Sequence, residues 1–155
     1  MLSGAGAGFV AALPMAAFAQ SQQDAALDAL LTEWFYDNVE RNPTFATSLG
    51  IDKDDRAHLA GQFADLSLEA EEADKARDIA RWNRIRDWPA TNLSDSMKVT
   101  LAVSQFQAET AAMRAELPFA GSPYIVAQNG GAYFNVPDFM TNQHRLETTA
   151  DAEAF

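Results

Sequence analysis

Apolar residues recur along this chain at helical spacing for most of its length. Between positions 24 and 41, Leu27, Leu30, Leu31, Trp34, Phe35 and Val39 fall on one broad face at 100° per residue, the pattern of an amphipathic helix packed on a core. Ser21 is the candidate cap, with Asp24 three residues on as a weak capping box. Asn38 lies within the apolar face. A buried amide must find partners, so Asn38 either ties down the next turn or belongs to a site.

Asn42-Pro43 closes that helix and opens another, because Pro suits a first helical position and Asn caps well. Residues 43–49 give two short turns, and Gly50 takes the left-handed position at their end. From Ile51 to Leu66 the chain is polar without clear periodicity and reads as a surface loop. Its Asp52, Asp54 and Asp55 lack the Gly and distal Glu of a calcium loop.

Ser67 caps a helix over 68–88. Acids open it (Glu69, Glu71, Glu72, Asp74), bases close it (Arg81, Arg84, Arg86), and Glu71 stands four residues before Lys75. That gradient complements the helix dipole and marks a solvated, helix-stabilising face. Leu68, Ala76, Ile79, Trp82 and Ile85 make the expected buried side, and Pro89 stops the helix.

Ser94 caps a helix over 95–116 that is apolar on two sides. Val99, Val103, Phe106, Met113 and Leu117 line one; Met97, Leu101, Ala108, Ala112 and Ala115 line the other. Such a helix is expected to be covered on both faces, and so to lie centrally.

After Leu117-Pro118 the texture becomes Gly, Pro and aromatic, through Tyr124, Asn129-Gly130-Gly131 and Tyr133 to Pro137. This predicts an extended, turn-rich segment, with room for one strand at 124–128. Thr148 with Asp151 and Glu153 then reads as the cap and first turn of a further helix. The expected fold is therefore all-α: about four helices (24–41, 43–49, 68–88, 95–116), an extended segment and the start of another helix. It is an incomplete domain, whose partner is the remainder of its own chain beyond Phe155.

Composition narrows the setting. Residues 9–18 are apolar, broken by Pro14, and end on Ala17-Phe18-Ala19, the small-x-small pattern of signal cleavage. Residues 1–19 read as a removable signal and 20–155 as the mature chain, periplasmic or secreted. An N-terminal anchor is the alternative reading, but the apolar stretch falls far short of the ~20 residues that span a bilayer, so no stable membrane insertion is expected after cleavage. The absence of cysteine rules out a disulfide framework and a lipid-modified Cys. A net charge of −11 argues against nucleic acid as a partner, since phosphate binding needs clustered Lys and Arg.

The chemistry-bearing residues form no recognisable constellation. The two histidines, His58 and His144, stand far apart without a His-Glu dipeptide, and there is no Gly-x-Ser-x-Gly elbow or phosphate loop. Asn92-Leu93-Ser94 matches a glycosylation acceptor, but Ser94 already serves as a cap. No catalytic, cofactor-binding or metal-binding residue is assigned.

One resemblance goes further. The run Arg41-Asn42-Pro43-Thr44-Phe45-Ala46-Thr47-Ser48-Leu49-Gly50 follows a helix containing Trp34 and Phe35 and precedes Arg56 and an acidic helix. Later come Gln128-Asn129-Gly130, Val136-Pro137-Asp138-Phe139, His144-Arg145-Leu146 and Thr149 to Phe155. In order and spacing these resemble the N-terminal region of the bacterial domain-of-unknown-function 885 family. The resemblance implies a mostly helical, exported protein several times longer than this chain, acting as a zinc-dependent peptidase on peptide substrates. Its zinc motif lies far downstream and has no counterpart here. The segment itself is then a non-catalytic, cofactor-free front wall. The competing expectation is a stand-alone exported helical module that binds a partner without enzymatic activity.

Overall fold

In the computed structural model, residues 15–117, 131–143, 146 and 148–154 are described. They form α1 (Met15–Arg41), α2 (Pro43–Leu49), a 3-10 helix (Asp54–Leu59), α3 (Leu68–Ile85), α4 (Asp95–Ala115), α5 (Ala132–Asn142) and α6 (Thr149–Ala154), with no strand among the described residues. The all-α expectation holds, with more helices than the four expected.

Residues 1–14 of the expected signal and the strand position at 124–128 lie outside the described residues. α1 starts at Met15, not near Asp24, so Ser21 is not its cap. The Asp24 carboxylate instead accepts from the backbone N–H of Ser94 at 2.9 Å, tying α1 to the residue that caps α4. Ser94 and Ser67 both cap as expected: the Ser94 hydroxyl accepts from Met97 N at 3.4 Å and the Ser67 hydroxyl from Ala70 N at 3.2 Å. Asn42 makes no side-chain cap; its amide oxygen accepts from the Thr44 hydroxyl at 2.8 Å. Gly50 does end α2 in the left-handed region, at φ 67°.

The core is built where α1, α3 and α4 meet. Leu27 and Leu30 of α1, Ile85 of α3, Leu93 of the connecting loop, and Leu101 and Ala108 of α4 are buried together, with Leu31, Trp34, Trp82, Trp88 and Met97 packed around them. α3 and α4 run antiparallel. Ile85 meets the first half of α4, where the Gln105 amide donates to the Ile85 carbonyl at 3.0 Å, while Asp74 and Asp78 lie beside Thr110 and Arg114. A second, smaller cluster joins Val39, Ala46 and Leu59 with Phe45 and Ile51.

Leu59 shows why the loop expected over 51–66 is partly helical. A single buried leucine anchors a 3-10 turn beneath α2, and a lone anchor leaves no periodicity to read. α3 ends at Ile85 instead of 88 because Pro89 bars the α conformation at Trp88, whose N–H bonds Ile85 O at 3.0 Å in a closing turn.

Several burial expectations are corrected. On α3, Leu68 and Ala76 are exposed and Ile79 sits at the edge, so only Trp82 and Ile85 enter the core. Asn38 is exposed, because the face of α1 that packs against α3 and α4 is narrower than its apolar stripe. On α4 the second apolar side is uncovered among the described residues: Leu101 is 3% exposed and Phe106 69%.

The segment 132–142, expected to be extended, is the helix α5 with Pro137 inside it. Pro137 removes one helical donor, and two contacts tie the helix to the body. Phe139 meets Phe63 edge-on with centroids 5.9 Å apart, and Gln143 at the end of α5 hydrogen-bonds Ser48. Thr148 and Asp151 form the expected cap of α6 reciprocally, with Asp151 N donating to the Thr148 hydroxyl and Thr148 N to the Asp151 carboxylate.

Candidate functional site

Three places carry enough chemistry to weigh as sites. The first surrounds His58, one of the two histidines; His144 lies outside the described residues. His58 Nε2 stands 2.8 Å from Glu40 Oε2, and Arg56 Nε stands 3.6 Å from the other oxygen of the same carboxylate. The Arg56 guanidinium lies over the Tyr36 ring at 4.2 Å. These contacts fasten the 3-10 helix to α1. One imidazole against one carboxylate, with no hydroxyl nucleophile bonded to it among the described residues, does not make a catalytic triad. Among the described residues no three of His, Cys, Asp and Glu gather closely enough to hold a metal.

The second place is an open cleft of about 620 Å3 between the end of α2 and α6, lined by Thr47, Ser48, Asp52, Lys53, Gln143 and Asp151, among others. Its polar groups largely answer one another. The Thr47 hydroxyl donates to Asp52 at 2.8 Å, and the Asp151 carboxylate caps α6.

The third place is the seam between α1 and α3, where the charge run of α3 does more than expected. Arg84 grips Glu33 through two hydrogen bonds, at 2.6 and 3.0 Å, and the hydrogen bond from Arg84 holds the Glu33 carboxyl below its ordinary value. Asp37 accepts from Arg81 at 2.7 Å and pairs with Arg77 at 3.4 Å and Arg41 at 3.1 Å. The basic half of α3 is thus a clamp on α1 as well as a complement to its own dipole. Long-range pairs of this kind leave no local signal, since Glu33 and Arg84 are separated by 51 positions. Asp78, on the neighbouring face of α3, has its carboxyl pushed up by desolvation, opposed by Arg81 and Arg77.

The remaining feature is a surface rather than a pocket. Val99, Val103, Phe106 and Met113 on α4, and Leu117 just beyond it, are all more than half exposed, as are Tyr133 and Phe134 on α5. An exposed apolar stripe of this kind along α4 is the type of surface that protein interfaces use. Compared with known proteins, the chain matches no family model, no curated protein and no solved structure.

Proposed function

We propose that these residues are the helical, non-catalytic front wall of an exported zinc-dependent peptidase of the kind found in the domain-of-unknown-function 885 family. The ordered motifs from Arg41 to Gly50 and from Val136 to Phe155 support the reading. The structural observation that carries it is the state of α5. That helix is held to the body through Phe139 against Phe63 and Gln143 against Ser48, while Phe134, on another face, is 59% exposed. A helix seated on one side with an exposed aromatic on another offers surface that a further layer of helices can cover. In this reading zinc and the peptide substrate belong to the remainder of the chain, and the mature protein begins at Gln20.

The test is to extend the reading frame past the codon for Phe155 and express the product in a Gram-negative host. The expected product loses residues 1–19 by N-terminal sequencing, binds zinc by elemental analysis and hydrolyses peptides, while the 155-residue chain does neither of the last two. A stop codon directly after Phe155, or stoichiometric zinc on the short chain that is lost in His58→Ala, defeats the reading. In the first case the stand-alone exported binding module is the better account, and the exposed face of α4 favours it.

A further inference from the structure

The uncovered face of α4 has a more specific pattern than an apolar patch. Val99, Val103, Phe106, Thr110 and Met113 follow one another at alternating steps of four and three residues, the seam of a heptad repeat sustained over about four turns of α4, and Leu117, just past its end, continues the spacing. Thr110 donates its hydroxyl to the Phe106 carbonyl at 2.8 Å, which leaves its methyl for the seam. The other five are all more than half exposed.

We propose that this seam pairs with the same seam of a second copy, as a parallel two-helix contact that makes the protein a dimer. Charge selects both the occupant and its direction. Glu109 and Arg114 flank the seam on opposite sides, are exposed, and carry no ion pair to a described residue, although Arg114 borders a groove with Asp74 and Asp78 of α3. In a parallel pair in register, Glu109 of each copy faces Arg114 of the other, five positions on, so the two-fold axis generates two opposite-charge pairs. In the full-overlap antiparallel register Glu109 faces Glu109 of the second copy, a repulsion with no compensating pair. A seam that carries both halves of its own charge match is complementary to itself. This rests on α4 alone and is independent of a peptidase role. One helix pair is at the small end of specific interfaces, so the dissociation constant is expected on the order of 10 µM.

Sedimentation velocity on the full 155-residue chain, from well below to well above that concentration, is the first measurement, with a monomer–dimer equilibrium expected. Phe106→Glu changes an exposed side chain, so the helical melt stays as it was while dimerisation is lost. Glu109→Arg weakens the dimer roughly tenfold, and adding Arg114→Glu to it restores affinity. Because the chain has no cysteine, Thr110→Cys places the only thiols in one seam layer, and mild oxidation links parallel copies directly. A chain that stays monomeric at several hundred micromolar overturns the proposal. So does a dimer indifferent to Phe106→Glu, a charge reversal without rescue, or cross-linking that requires Phe106→Cys together with Thr110→Cys.

Discussion

Leu101 and Phe106 lie about a turn and a half apart on the same helix, yet truncating them should have very different consequences for folding. Leu101 is 3% exposed and belongs to the cluster with Leu27, Leu30 and Ile85, whereas Phe106 is 69% exposed. Leu101→Ala removes buried methyl and methylene groups and leaves a cavity whose walls come from three helices, none of which can close in without disturbing the other two. The expected loss is about 2–5 kcal/mol, transfer and cavity contributions together. At about 2–4 °C per kcal/mol for a chain of this length, the midpoint should fall by about 4–20 °C. Phe106→Ala removes a larger side chain but opens no cavity, and its cost to the monomer should stay within about 0.5 kcal/mol. Circular-dichroism melts and urea titrations at about 1 µM protein, below the dissociation constant expected for a dimer, compare the two directly. Equal, large losses would mean that Phe106 is buried in solution and that α4 is covered on both sides within this chain.

Three further outcomes follow from individual contacts. Asp24→Ala leaves the N–H of Ser94 without its carboxylate acceptor and should cost about 1–2 kcal/mol in urea titration; an unchanged midpoint would show that α1 and α4 are not tied there. Gly50→Ala meets no neighbouring atom, so its cost, about 1 kcal/mol, comes from the left-handed backbone alone, and Gly50→Asn should cost less; equal losses in both variants would point to another cause. Because Arg84 lowers the folded-state pKa of Glu33, that carboxylate contributes stability above the ordinary glutamate value and loses it as pH falls through the lower folded value. Stability measured from about pH 6 to about pH 3 should therefore fall less steeply in Glu33→Gln, and an identical slope in both proteins would remove Glu33 from the acid response.

What could be read from the chain was whatever depends on near neighbours. Ser67, Ser94 and Thr148 announced helix starts because a cap acts within three residues, and Gly50 announced an end because only the local backbone decides φ. The all-α class followed from apolar spacing summed over whole helices. The 3.6-residue period also showed that α4 is apolar on two sides, and the heptad on one of them is in the sequence itself. Which side is buried was not legible, since that depends on whether α1 and α3 arrive at Leu101 or at Phe106, and both faces offer comparable apolar area. The same limit hid the grip of Arg84 on Glu33 and of Asp24 on Ser94, contacts between positions 51 and 70 residues apart. It also misassigned 132–142, where local Gly, Pro and aromatic signals read as extended but the chain is the helix α5, tied to the body through Phe139 and Gln143. Local rules set each element's kind and caps, because those energies act within one turn. Which face met which, and which was left bare, was decided by packing among distant segments, whose free energy no single window of the chain contains.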